Sequence, residues 1–401
     1  MTAVERGGDL SVRRSSKGAP EPVDAEILRA RAYLIRVAEP PAPHTGRLVD
    51  RVGAVAAADA IRRGDVSSEV ARETSARRAA DRVDADLAAA ADSGARLLVP
   101  EDPDWPHWPF ACFALAPSDE LVPPLALWVR GAGSLGGLTE RAVAIVGARN
   151  ATGYGMHVAS DLGSGLAAAG QTVVSGAAIG IDGAAHRGVL ATRGSTIAVL
   201  ACGPDRAYPP SHAALIERVA ATGLVVSEYP PGAVPARHRF LVRNRLIAAL
   251  AAGTVVVEAA LRSGAQRTAA DARALGTVLM AVPGPVTSTA SAGCHELVRR
   301  GALLVTSAAE ITEATGRLGI DLAAPLPRPE RPTDVLDETQ LLVHDALPTR
   351  AARDIGWLAV EAGLAPDTIR AALVELEHRG FAVHREGRWQ RTVPTDAPDS
   401  R

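Results

Sequence analysis

The chain of 401 residues contains one lysine, Lys17, so arginine supplies almost all of its basic charge. No phosphate-loop lysine motif is present, which excludes that route to a nucleotide. Cysteine is equally scarce. Cys112, Cys202 and Cys294 are far apart and odd in number, which argues against both a disulfide framework and a zinc site. Aromatic residues make up only 3% of the chain, so stacking partners for a base are few. There is no run of 18 apolar residues, the length a membrane-spanning helix needs. The opening stretch MTAVERGGDLSVRRSSKGAP lacks the apolar core of a signal peptide and reads as a disordered leader. A cytoplasmic protein that neither spans nor requires a membrane is expected. A net charge of −2 gives no global basic field to announce nucleic acid.

What is present is a soluble globular composition, 47% hydrophobic and 22% charged, long enough for two or three domains. The arginines are unevenly placed. Between Arg141 and Val305 there are 15 arginines against 8 acidic residues, which gives this segment the positive balance the whole chain lacks. Compositional bias of the genome accounts for arginine richness as readily as function does, so position must decide.

Periodicity divides the chain. Residues 1–25 form the leader, and 26–100 read as short amphipathic helices, a small helical domain. A Pro- and Trp-rich connector opens the segment 101–317. Within it, short Val/Ile/Leu runs alternate with helices: AVAIVG at 142–147, TVVSG at 172–176, TIAVLA at 196–201, LVVSE at 224–228, TVVVEA at 254–259, TVLMAV at 277–282 and ALLVT at 302–306. Near-continuous apolar strands with helical crossovers predict an α/β, Rossmann-like, doubly wound and mainly parallel sheet covered on both faces. Residues 318–334 are a proline-rich linker. Residues 335–392 predict three helices and a hairpin, a winged helix, before a disordered tail at 393–401.

In such a sheet, ligands bind beyond the carboxyl ends of the strands. Those ends carry Gly147 and Arg149, then Ser175 and Gly176, then Ser263, Gly264 and Thr268. The stretch FLVRNRLIAALAAGTVVVEA adds Arg243, Asn244 and Arg245, read as the start of an apolar helix. A helix N-terminus already carries partial positive charge, so two guanidinium groups there suit a bound phosphate. The plain alternative is that both point into water. A rim of Gly, Ser, Thr and Arg on adjacent strand ends favours an extended polyanion held through amides, hydroxyls and guanidinium groups. Tyr208, in ACGPDRAYPPSH, either stacks on a base or covers apolar surface. Asp182 reads as a helix cap and His186 as a packed histidine. Glu228 and Glu258 form a conceivable carboxylate pair, but Glu258 equally suits holding an arginine or an amide. With no Ser/His/Asp order and no metal spacing, no catalytic role, metal or cofactor is expected.

These residues resemble the DNA-processing protein A family (DprA, also called Smf). The resemblance covers roughly 95–310, through AIVGARNATGYG, VVSGAAIGIDGAAH, SEYPPG, FLVRNRLIAALAAGTVVVEA, SGAQRTA, AVPGPV and GCHELVRRGA, in that order. It implies a Rossmann-like domain that binds single-stranded DNA without sequence preference. It also implies a homodimer that hands the strand to the recombinase RecA and protects incoming DNA during natural transformation. The N-terminal helices are similar to the family's SAM-like domain and the C-terminal zone to its winged helix. Arg149 falls on the family's G-S/A-R arginine, Arg243–Arg245 on its RNR motif, and Ser175–Gly176 on its SG turn. Replacing Arg149 or Arg243 is then expected to weaken binding without unfolding the chain.

Departures from the pattern are local. Pro210 stands where a basic residue often follows Tyr-Pro, and Arg206, Arg237 and Arg239 are the neighbours able to compensate. A competing class is a nucleotide-binding enzyme or nucleotide sensor on the same superfamily fold. It is disfavoured by the absence of a PGGxGT-type motif. In the winged helix, the third helix carries Arg370, His378 and Arg379 against Asp367, Glu375 and Glu377, a poor reader of a major groove.

Overall fold

Short runs of buried β-branched and aliphatic residues set the central sheet. The computed structural model describes residues 23–317, 320–323 and 331–392. The expected leader up to residue 22, the tail and part of the linker therefore lie outside the described residues, while Asp24 already caps a helix that begins at Ala25. Nine strands form one sheet: β1 (Ala95–Leu98), β2 (Leu127–Arg130), β3 (Ala142–Val146), β4 (Thr172–Ser175), β5 (Thr196–Leu200), β6 (Leu224–Ser227), β7 (Gly253–Val256), β8 (Val278–Ala281) and β9 (Leu303–Leu304). Their spatial order is β1-β2-β6-β5-β4-β3-β7-β8-β9. From β3 to β9 every pairing is parallel. All residues of β3 to β7 are buried, which is why these strands read as unbroken apolar runs rather than alternating ones.

The order places β3 between β4 and β7. The chain leaves β3 toward β4, β5 and β6, then returns to β7 on its other side. That reversal opens a crevice at the carboxyl ends of β3 and β7, the usual place for a ligand in this architecture. Helices Gly153–Ala168 and Ile181–Ala191 pack closely on one face. A Cβ on Gly188 would lie 2.0 Å from Ser160 O, and one on Gly163 would lie 2.5 Å from Ala185 O. Glycine at both positions lets the two backbones meet.

The sequence reading missed β1 and β2. They pair antiparallel with each other, and β2 pairs antiparallel with β6, so they extend the parallel sheet at one edge. Four residues each, in or beside a Pro-rich connector, give no usable period. The N-terminal helices cover this edge. Tyr33, Leu34, Val37 and Ile61 share a buried cluster with Leu97, Val99 and Trp128. The described residues from Val23 to Arg317 accordingly belong to one compact unit.

The second unit, Pro325–Arg401, holds helices Glu338–Ala346, Ile355–Ala362 and Pro366–His378, followed by β10 (Ala382–Arg385) and β11 (Arg388–Arg391). Asp337 accepts the Gln340 amide and closes a capping box at the first helix. Val343, Leu358, Ile369, Leu373, Leu376, Phe381 and Trp389 form its core. Among the described residues, no helix is long and apolar enough to cross a membrane.

Candidate nucleic-acid interface

A cleft of about 740 Å³ lies over the carboxyl ends of β3 and β7. Its wall on the β3 side is the loop from Gly147 to Thr152. Gly147 is required there, since a Cβ would meet Ile181 Cγ1 at 2.5 Å and Glu258 O at 3.0 Å. Glu258, buried after β7, accepts from Thr152 N at 2.9 Å and from Thr152 Oγ1 at 2.6 Å. Thr152 in turn caps helix Gly153–Ala168. This carboxylate therefore anchors the loop that presents Arg149 and Asn150, both exposed.

On the β4 side, Asp182 accepts from Gly176 N at 3.1 Å and Ala178 N at 3.4 Å, tightening a turn in which Ala177 adopts φ +53°. Arg243 passes beneath. Its Nη1 donates to Gly176 O at 3.0 Å and to Val199 O, tying the ends of β4 and β5 together. Burial lowers the Arg243 pKa to about 10, opposed by Asp182 and reinforced by repulsion from Arg149, so the group stays cationic at neutral pH. Burial likewise pushes the Asp182 carboxyl above its ordinary range, with Arg243 and the two amides opposing it.

The helix that carries Arg243 begins earlier than the sequence suggested. It spans Arg237–Ala249, with Ala236 at the N-cap and no acidic residue in its first turn. Arg243, Asn244 and Arg245 are therefore in mid-helix and buried, not at a helix start. The residue at the real N-terminus is Arg237, exposed and lining the cleft, with no ion pair among the described residues. Of the three basic neighbours weighed for compensation, Arg237 is the one so placed. Arg239 is committed to Glu39 at 2.8 Å and stacks on Tyr229.

Seven of the ten expected contact residues come together here: Gly147, Arg149, Arg243, Asn244, Ser263, Gly264 and Thr268. Ser263 and Gly264 stand at the N-terminus of helix Gly264–Ala274, and Ser263 Oγ has no hydrogen-bond partner. The other three do not line the cleft. Ser175 is fully buried, and its hydroxyl donates to Ile145 O at 2.6 Å. Gly176 has its N–H on Asp182 and its carbonyl on Arg243, so neither is free for a ligand. Arg245 is 1% exposed and faces away from the cleft. It forms a bidentate pair with Glu228 at 2.7 and 2.8 Å and donates to Val122 O at 3.0 Å.

Sequence reasoning missed two contributors outright and named another, Arg237, only as a neighbour able to compensate for Pro210. Phe240 lines the cleft and lies 5.3 Å from Tyr208, with the Arg149 guanidinium 5.0 Å above its ring and that of Arg243 at 6.0 Å. Arg237 follows Pro235 closely, and proline just before a helix start is the signal that marks that boundary. The second missed contributor is the Ser288–Ala290 segment of the loop after β8. His186 is buried and bonded to Thr196, its pKa pushed down by burial to about 3, so it is a neutral packed group.

The cleft is thus lined by three arginines and one aspartate. The carboxyl ends of parallel strands also collect helix N-termini, so its field favours an anion. With this geometry in view, the likenesses to known proteins are specific. Residues 96–316 match the family model described as DNA recombination-mediator protein A. A Mycobacterium tuberculosis protein named putative DNA processing protein DprA is 53% identical over 365 residues, covering 90% of this chain and 94% of that one. The DNA processing protein DprA of Bacillus subtilis is 32% identical over 240 residues, 60% of this chain and 77% of that one. The X-ray structure of DNA processing protein A from Streptococcus pneumoniae superimposes with a TM-score of 0.56 at 27% identity, covering 73% of this chain and 96% of that one. The chain belongs to the DNA recombination-mediator protein A family, the DprA DNA-processing proteins.

Proposed function

We propose that the cleft holds the sugar–phosphate backbone of single-stranded DNA without reading its sequence, and that the chain, as a cytoplasmic homodimer, delivers that strand to RecA. The observation that carries this reading is the crowding of charge around Phe240. Arg149 and Arg243 approach the same ring, and Arg149 raises the cost of the charge on Arg243. Asp182 turns its carboxylate to loop amides rather than to Arg149. An incoming phosphate supplies the missing negative charge through charge-assisted hydrogen bonds. The tilted Tyr208–Phe240 pair adds a surface on which a base can stack, and stacking tolerates any sequence.

The same reading assigns no catalysis to the chain. Glu228 is held by Arg245 and Glu258 by Thr152, so both buried carboxylates have structural work. Delivery to RecA is supported by the name of the family that the chain belongs to. It is tested by following the DNA-dependent ATPase activity of RecA on a strand already coated with single-strand-binding protein. Wild type is expected to shorten the lag before steady hydrolysis, and Arg149→Ala to leave it unshortened. An equal lag with and without wild type overturns the delivery role.

A further inference from the structure

The second unit distributes its charges unequally. On its third helix, Pro366–His378 with its C-cap residue, the arginines are neutralised locally: Arg370 by Asp367 at 2.7 Å and Arg379 by Glu375 at 3.1 Å. Arg391 is likewise engaged, donating to Asp345 O at 2.8 Å. The hairpin and the loop beside it differ. Arg353 pairs through its backbone with Trp389, adding a third extended segment to β10 and β11. Arg350, Arg353, Arg385 and Arg388, all exposed on this small sheet or its flanking loop, have no carboxylate partner among the described residues. Three nearby acidic groups face the same region, and one of them, Glu377 of the third helix, accepts from His384 N at 3.3 Å. Asp354 accepts the Trp357 amide at 2.8 Å, and Glu386 occupies the turn at φ +47°.

Arg385 and Arg388 are also directly opposite in the hairpin register. Like charges at opposed positions destabilise a strand pair, and this pair lies on the face away from the core, since His384 and Trp389 stack on the other. Arg353 pairs with Trp389 and so lies on the opposite face, where its guanidinium covers the ring of Trp357, which is 38% exposed. An unneutralised arginine pair on the outer face of the hairpin matches the phosphates of a polyanion.

We infer that the hairpin of the second unit, through Arg385 and Arg388, is a second contact surface for the phosphodiester backbone of nucleic acid, while the third helix stays off it. The choice of nucleic acid over another polyanion rests on the cleft's own reading as a DNA site. The electrostatics of the hairpin do not. The third helix, with Arg370 paired to Asp367 and Arg379 to Glu375, offers the same ligand no unpaired arginine, so contact runs along the hairpin.

The test uses the full chain, with fluorescence anisotropy and hydrogen exchange against a 40-nucleotide oligo-dT, a 40-base-pair duplex and poly-glutamate. Arg385→Ala/Arg388→Ala is expected to weaken binding to the favoured DNA roughly five- to tenfold at low salt. It is also expected to reduce the slope of log affinity against log salt by about 1.4 for a single strand or about 1.8 for a duplex. Arg370→Ala/Arg379→Ala is the control and is expected to change neither. Peptides spanning 382–391 should gain protection with DNA, and should keep it when Arg149→Ala/Arg237→Ala has weakened the cleft. An unchanged slope with a DNA-binding wild type overturns the hairpin surface and leaves the cleft standing. Protection by poly-glutamate but by neither DNA overturns the choice of ligand. Weaker binding by the cleft variant, with hairpin protection retained at saturating DNA, supports two separate sites, and loss of that protection at saturation overturns the hairpin as a contact of its own.

Discussion

Arg245→Ala is expected to lower the unfolding free energy by about 3–5 kcal/mol, the usual cost of removing one partner from a buried ion pair. Its guanidinium is 1% exposed, and both oxygens of Glu228 accept from it, at 2.7 and 2.8 Å. Without Arg245, the Glu228 carboxylate stays buried at the end of β6 with no counter-charge, and Val122 O loses a donor at 3.0 Å. Replacing both members, as Arg245→Met/Glu228→Leu, should recover much of the loss, because burying two apolar groups of similar volume avoids the uncompensated charge. Urea unfolding followed by circular dichroism measures both. If Arg245→Ala kept wild-type stability and lost DNA binding, the position would be a phosphate ligand after all.

Arg243→Ala is the second large effect, and it departs from what the motif alone implied. At a helix start, its loss would weaken binding and leave the fold intact. In mid-helix, 4% exposed, the guanidinium holds the carbonyls of Gly176 and Val199 and faces the buried carboxylate of Asp182. Hydrogen bonds to charged groups are worth about 1.5–3 kcal/mol each, and buried acceptors left unmade add to that. A destabilisation of about 3 kcal/mol is expected, together with weakened DNA binding. Asp182→Asn in the same chain should restore part of the stability by removing the orphaned charge, without restoring the binding. The two readouts therefore separate for this residue. Wild-type stability in Arg243→Ala would contradict the strap between β4 and β5.

The fold was largely legible because a parallel sheet buried on both faces leaves a strong signature. The runs AVAIV, TVVS, TIAVL, LVVS and VLMA all appear as strands within a residue or two of their expected limits. The edge strands β1 and β2 were not legible, since their pairing with β6 is antiparallel and distant in sequence. The cleft was half legible. Arg149 and the Ser263–Gly264 turn follow strands directly, so adjacency to a strand end located them. The helix start was misplaced because RHRFLVRNRLIAA buries guanidinium groups along its second half, and a charged residue inside a core looks like one outside it until its partner is known. That partner, Glu228, lies 17 residues earlier, just after β6. The motif therefore mixes two jobs: Arg243 builds the floor of the cleft, and Arg245 locks the helix to β6.

Assigning those jobs leaves Arg149 and Arg237 as the exposed cations of the cleft, and the account depends on them most. The most direct measurement is fluorescence anisotropy of a labelled oligo-dT strand and a matched duplex across a salt series, for wild type and Arg149→Ala/Arg237→Ala, with thermal unfolding of both proteins alongside. The account predicts that wild type prefers the single strand. It also predicts that the variant melts with wild-type stability, binds at least about tenfold more weakly, and shows a salt slope smaller by about 1.4, from two lost phosphate contacts at roughly 0.7 each. A folded variant with unchanged affinity and unchanged slope would contradict it.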